Sequence, residues 1–252
     1  VLIRTLPLRG LGEAEIAPLL AVLDGTERAR AERFAFARNR IQFVAAHALT
    51  RATLAAIGGA PPAAWRFVPG PHGKPAALLG DRPSALSFNL SHTEGMVGVA
   101  AIAVPEAMLG FDLEPARRGV SERLARSVFR PEELAWLAAL PPAERGFGAM
   151  RLWTLKEAFI KATGRGVGQG LSTFWFELPP PRLRLAPGVP GRPEEWLFDQ
   201  RLLGGDVLGA VGLRCGDGAP PRLDWQGCDL PALRRELGGE RASGARRGPG
   251  AD

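Results

Sequence analysis

The feature that most narrows the fold is a repeat of element order rather than of letters. Twice along the chain a long helix-patterned segment runs through glycines into a tryptophan-bearing strand, Ala64-Trp65-Arg66-Phe67 and then Phe174-Trp175-Phe176-Glu177. Each time an alternating small and apolar strand, residues 97–102 or 207–212, begins 32 residues after that tryptophan. Matching order at matching spacing points to two related α+β halves. A chain of 252 residues has room for them, at about 110 to 120 residues each. We expect an N-terminal half over 1–109, a C-terminal half over 110–225 and a disordered tail over 226–252, rich in Gly, Ala and Arg.

The helical patterning covers residues 13–24 and 26–58, with a break near Arg38-Asn39 and a stop at Gly58-Gly59 and Pro61-Pro62. Strands are expected at 65–68, 85–90, 96–104 and 110–114, with Ser91-His92-Thr93-Glu94-Gly95 as a connection. Helices follow at 121–128, from Pro131, and over 143–163, ended by Gly164-Arg165-Gly166; strands at 173–178, 196–203 and 207–214 close the fold.

Chemistry concentrates in two of these elements. In the strand Gly110-Phe111-Asp112-Leu113-Glu114, alternation puts Asp112 and Glu114 on one face and Phe111 and Leu113 on the other. In the helix Trp153-Thr154-Leu155-Lys156-Glu157-Ala158-Phe159-Ile160-Lys161, Glu157 and Lys161 lie one turn apart on a shared face. Carboxylates from two elements can meet around a hard divalent cation, with a lysine beside them to hold phosphate oxygens. Lysine is scarce: of 32 basic residues only Lys74, Lys156 and Lys161 are not arginine. Where the chain keeps a compact ammonium instead of a planar fork, its chemistry is a reason to do so. Two of the three sit in this helix, and the third in His72-Gly73-Lys74-Pro75.

Composition excludes more than it selects. No apolar run approaches the ~18 residues that span a bilayer, and no charged segment with an apolar signal core opens the chain, so neither membrane insertion nor secretion is expected. Two cysteines, Cys215 and Cys228, form no disulfide framework and no metal spacing, which fits a reduced cytoplasmic setting. The net charge of +6 lies partly in the tail, and no basic-aromatic stripe accompanies it, so nucleic acid is not the expected partner.

Gly-x-Asp-x-Glu followed about 40 residues on by Trp-x-x-Lys-Glu-Ala-x-x-Lys resembles the paired signature of the 4'-phosphopantetheinyl transferases of the surfactin-activating (Sfp) type. Asn89-Leu90-Ser91-His92 and Gly73-Lys74-Pro75 match further family segments in order, so the resemblance spans residues 28–214. It implies a pseudo-dimeric α+β protein whose halves each pack a small antiparallel sheet with a long helix. Coenzyme A and Mg²⁺ (or Mn²⁺) would bind between them. The implied reaction moves the phosphopantetheine arm to a serine of an apo acyl, peptidyl or aryl carrier protein and releases adenosine 3',5'-bisphosphate. By this resemblance Asp112, Glu114 and Glu157 correspond to metal ligands, and Lys161 to the lysine on the CoA diphosphate. Lys74 and Pro75 match the segment beside the nucleotide, and Ser91 and His92 match residues contacting phosphates. Lys161 and a protonated His92 would add donors there, and Glu157 is the candidate base, directly or through a metal-bound water. Lys156 is equally open to a supporting role.

The chain departs from the family pattern at Thr154, where many members have Ser, and at Phe111, which is bulkier than the usual aliphatic. Arg30 and Arg33 match the cluster that holds the 3'-phosphate, but Gln42 stands where a cation is expected. Trp153 reads as core packing, His47 as a packed structural histidine and His72 as a solvated turn residue. Arg117 and Arg118 either meet an acidic carrier helix or form a solvated turn. The rival reading is a CoA-binding protein without turnover; the presence of all three acids argues against it. An internal repeat already supplies both walls of a site, so a monomer is expected.

Overall fold

Two strand-and-helix units of one plan face each other along a pair of strands. The computed structural model describes residues 1–70, 74–164, 170–216 and 218–238. The first unit runs β1 (Leu2–Pro7), α1 (Glu13–Ile16), a 3-10 stretch (Ala17–Val22), α2 (Gly25–Glu32) and α3 (Ala37–Gly58). It continues through β2 (Trp65–Pro69), β3 (Pro75–Leu79), β4 (Arg82–Pro83), β5 (Ser87–Thr93) and β6 (Met96–Ile102). The second runs β7 (Leu109–Pro115), α4 (Glu122–Val128), α5 (Pro131–Ala139), α6 (Pro142–Thr163), β8 (Phe174–Glu177), β9 (Arg182–Leu185), β10 (Trp196–Leu203) and β11 (Val207–Arg214). A last strand β12 (Asp224–Gly227) and helix α7 (Leu230–Leu237) complete the chain as described.

The sheet orders carry the repeat. The main sheet of the first half is β12-β1-β6-β5 and that of the second is β10-β11-β7, beside the smaller sheets β2-β3-β4 and β8-β9. In each main sheet, the unit's last strand lies antiparallel between its first and its penultimate strand. The expected pseudo-dimer of α+β halves is therefore present in the topology.

Apolar periodicity sets what each element faces. Val97, Val99 and Ala101 of β6 pack with Val44, Ala48, Leu49 and Ala52 of α3. The alternate residues Met96 and Ala100 point the other way and meet Phe111, Leu113, Val211 and Leu213 of the second sheet. On that sheet's far side Leu152, Leu155 and Phe159 of α6 pack with Phe174, Phe198 and Ala210. Each strand of the central layers is thus covered on both faces, which explains their continuous apolar runs.

Where the halves meet, side chains take the place of a ladder. Asn89 Oδ1 accepts the Phe111 amide at 2.9 Å, and Ser91 Oγ accepts the Leu113 amide at 3.1 Å. Two donors on the edge of β7 are satisfied this way without a paired strand. Gly110 draws α6 onto the same strand: a Cβ there would stand 1.9 Å from the Ala158 carbonyl oxygen and 2.4 Å from the Ala162 nitrogen.

Several elements differ from the sequence reading. Leu2–Pro7 is a strand, and the long N-terminal helix breaks at residues 33–36 instead of Arg38-Asn39. The capping box of Asp24 and Glu27 starts α2, and Phe36 precedes a fresh start. The strand before the Ser-His segment extends through Thr93, so Ser91 and His92 are strand residues and not a connection. Residues 226–238, expected within a disordered tail, include part of a strand parallel to β1 and a helix that buries Leu230 and Leu233. His72, Gly73, Arg165 and Gly166 lie outside the described residues.

Candidate active site

The side chains that alternation puts on the α6 side of β7 are Gly110, Asp112 and Glu114, and the close approach at Gly110 brings Glu157 and Lys161 over them. Lys161 Nζ lies 2.6 Å from Asp112 Oδ1 and 2.9 Å from Ser91 Oγ, while Ser91 Oγ donates to the same carboxylate oxygen at 3.2 Å. Asp112 is almost wholly buried, and its Oδ2 has no hydrogen-bond partner. Buried carboxylate oxygens are rarely left so unless something else binds them. Glu114 accepts from Trp153 Nε1 at 2.9 Å and from Arg118 at 3.4 Å.

Glu157 has no hydrogen-bond partner among the described residues. Burial pushes its carboxyl pKa above the ordinary value, and the charges of Asp112 and Glu114 push it further, against the opposing pull of Lys161. Lys161 faces Asp112 and Arg118 faces Glu114, which leaves Glu157 as the carboxylate without an ion-pair partner among the described residues. Among the described residues no three His, Cys, Asp or Glu side chains are grouped tightly enough to hold a metal as they stand. Their hard oxygen donors, the orphaned Asp112 Oδ2 and the unpaired Glu157 nevertheless fit a hard divalent cation.

These residues line a cavity of about 860 Å³ at the seam of the two halves. Ser91 and His92 come from the first half, and Asp112, Glu114, Glu157 and Lys161 from the second. Burial lowers the His92 pKa and the nearby Lys161 charge lowers it further, so the imidazole is favoured neutral here, contrary to the expectation of a protonated donor. A smaller cavity of about 430 Å³ adjoins the first and is lined in part by Arg30 and His92.

Other expected residues lie elsewhere. Lys74 donates to the Leu109 carbonyl at 2.8 Å, tying the first half to the start of β7, and burial lowers its pKa. Pro75 begins β3, opposite Pro69, and Arg33 is exposed; none of the three lines either cavity. Gln42 donates to the Thr93 carbonyl at 2.9 Å on the cavity wall. Lys156 is fully buried, 2.9 Å from the equally buried Glu133, and donates to the Leu171 and Phe174 carbonyls. It joins α5, α6 and β8 and faces away from the acids. Arg117 and Arg118 are exposed, but Arg118 reaches the cavity.

Among the cavity residues that escaped the sequence reading are Trp153, Arg38 and Asn39. Trp153 packs partly in the core, yet its indole N–H serves Glu114; its position one turn before Glu157 on the helix was the available signal. Arg38 and Asn39 line the main cavity, and no local pattern marks them.

Two family models match the chain. One, described as "4'-phosphopantetheinyl transferase, N-terminal", covers residues 12–104, and the other, described as "4'-phosphopantetheinyl transferase superfamily", covers residues 108–198. The chain belongs to the 4'-phosphopantetheinyl transferase superfamily. Within it, the chain is 37% identical over 160 residues to the 4'-phosphopantetheinyl transferase HetI of Nostoc sp., a stretch that is 62% of this chain and 66% of that one. It is 32% identical over 161 residues to the transferase psf-1 of Bacillus pumilus, covering 64% and 66% respectively. To the transferase Sfp of Bacillus subtilis it is 26% identical over 166 residues, covering 66% and 71%. The chain thus spans just under two thirds of the length of the first two relatives. The superfamily membership and Sfp-type likeness agree with the motif order, and the two matched regions meet where β6 gives way to β7.

Proposed function

We propose that this chain is a 4'-phosphopantetheinyl transferase, moving the phosphopantetheine arm of coenzyme A to a serine of an apo carrier protein and releasing adenosine 3',5'-bisphosphate. The observation that carries this reading is the convergence of Asp112, Glu114, Glu157, Lys161, Ser91 and His92, from both halves, on one cavity. The attacked centre is a phosphorus within a diphosphate, so the site has to manage charge and a proton without supplying a protein nucleophile.

Asp112, Glu114 and Glu157 would hold Mg²⁺ (or Mn²⁺), which supplies charge neutralisation of the diphosphate when bound. Lys161, now shared between Asp112 and Ser91, sits where it can turn its ammonium to phosphate oxygens. Neutral His92 offers one ring N–H to the same oxygens. Glu157, on the cavity wall and without a hydrogen-bond partner among the described residues, is the group placed to take the serine proton as Oγ bonds to phosphorus and the diphosphate P–O bond breaks. The leaving oxygen departs with the nucleotide.

The two cysteines are free, and among the described residues no helix is long and apolar enough to cross a membrane. We read the protein as a cytoplasmic monomer on those grounds and on the internal repeat. Incubation with CoA, Mg²⁺ and an apo carrier protein should add about 340 Da to the carrier serine. Tight CoA binding with no mass gain on any of several carriers would replace the transferase reading by a CoA-binding protein without turnover.

A further inference from the structure

The strand β12 belongs to one half by its backbone and to the other by its side chain. It lies beyond residue 198, where the second family match ends, and pairs in parallel with β1. The register sets Trp225 beside Ile3, Ile3 beside Ala100 and Ala100 beside Asn89, so one row of residues crosses the first half's main sheet from edge to edge. Side chains paired in this way point to the same side of a sheet. Trp225, Ile3 and Ala100 accordingly all enter the apolar layer between the two main sheets.

Both ends of that row hold Phe111. Asn89 Oδ1 accepts its amide at 2.9 Å, and the Trp225 indole meets its ring edge-on, with centroids 6.0 Å apart. Gly98 of β6 leaves the ring its room, since a Cβ there would stand 2.8 Å from Phe111 Cε1. The indole is itself fixed from the second half. Its Nε1 donates to Asp199 Oδ2 of β10 at 2.8 Å, and the Arg201 guanidinium lies over it, 5.3 Å from the ring centroid.

Phe111 immediately precedes Asp112. The acids are fixed relative to one another without Trp225: Asp112 and Glu114 share β7, and the close approach at Gly110 seats Glu157 and Lys161 against that strand. The grip on Phe111 decides instead where this whole group stands relative to Ser91 and His92 of the first half. A ligand that touches both walls of the cavity depends on that placement, whereas a cation held by the acids alone does not.

We propose that Trp225 is a positioning residue: acting through Phe111, it holds the acids and Lys161 of the second half in place opposite Ser91 and His92. The inference rests on the transferase reading, since it needs a substrate that touches both halves. It also gives a physical reason for an aromatic residue at position 111, where the family resemblance leads one to expect an aliphatic, because the ring is what reaches the indole.

The test combines the calorimetric affinity for CoA in excess Mg²⁺ with the Mg²⁺ concentration that half-saturates transfer at saturating CoA. Trp225→Leu keeps an apolar strand residue but loses the ring contact and the donor to Asp199. Its CoA affinity should fall about fivefold to tenfold while the Mg²⁺ requirement stays native. Trp225→Phe, which retains a ring, should recover most of that loss. Phe111→Leu should weaken CoA to a similar extent, and adding Trp225→Leu to it should cost nothing more, because the two side chains act as one contact. Should Trp225→Leu fail to fold, Asp199→Ala releases the indole by changing one half-buried carboxylate and should weaken CoA about threefold. The proposal is overturned if CoA binds these variants as it binds the native protein, or if the effects of Trp225→Leu and Phe111→Leu multiply. It is equally overturned if the Mg²⁺ requirement rises in step with the loss of CoA affinity, which marks a general structural role. Failure of the native protein to bind CoA would instead remove the transferase reading itself.

Discussion

Substituting Gly110→Ala tests whether the spacing between β7 and α6 governs the site. The added methyl would stand 1.9 Å from the Ala158 carbonyl oxygen, and real Cβ contacts do not fall under 3.0 Å, so the helix must retreat by about 1.1 Å. The obstacle is helix backbone, which cannot turn aside as a flexible side chain would. Overpacking of this kind costs about 1–3 kcal/mol, or more where backbone must move. In a protein of this size about 2–4 °C of melting temperature is lost per kcal/mol. Glu157 and Lys161 ride on the displaced helix while Asp112 stays on the strand. A displacement of about 1 Å can lower turnover about 100-fold. Thermal unfolding and the carrier mass-gain assay read the two effects separately. Gly146→Ala is the control, since nothing lies within 4 Å of its Cβ, and it should be neutral or slightly stabilising. A Gly110→Ala protein with native turnover would refute the claim that this contact sets the distance between the acids.

Lys156→Met leaves the buried Glu133 carboxylate without its partner and should destabilise by about 3–5 kcal/mol, whereas Lys156→Met combined with Glu133→Gln should recover most of that in urea unfolding. Equal stability of the single and double variants would contradict a buried ion pair. A carboxyl whose pKa is raised by folding favours the folded state while protonated and loses that advantage as pH rises through the raised value. In chelator, Glu157→Gln should therefore melt with the native protein at about pH 4 and a few degrees above it at about pH 8, while losing transfer; an unchanging gap would deny the repulsion. Trp153→Phe keeps the packing and removes the donor to Glu114, so the divalent-ion requirement for transfer should rise about tenfold. An unaltered requirement would return Trp153 to a packing role alone.

The long periodic elements and the alternation of β7 were readable because each is decided by neighbours a few residues away. That is why Asp112 and Glu114 fall on the expected face, and why Phe111 sits in the core against Trp225. The repeat was readable at the level of order and spacing, and the sheet topology realises it. What the sequence hid depends on distant partners. β1 becomes a strand because β6 and β12 flank it, and β12 with α7 is ordered by β1 and by the core around Leu233. Lys156 and Lys161 look alike in one helix, five residues apart, but one meets Glu133 and the other Asp112. Trp153 and His47 acquire their polar roles from Glu114 and Glu27, residues that no local pattern links to them.

The parallel pairing of β12 with β1 has a consequence for how the chain tolerates shortening. That strand comes after the second half yet closes the outer edge of the first half's sheet, and the Val1 nitrogen donates to the Arg222 carbonyl at 2.8 Å. The strand β1 is thereby clasped by a segment more than 200 residues later. A truncation after Arg214 would uncover the six-residue β1 as an unpaired edge, open to a strand from a second copy, and would also take Leu230 and Leu233 out of the first half's core. Such a shortened protein would lose stability and tend to self-associate, so the clasp acts as a guard on solubility as much as a stabiliser of the fold.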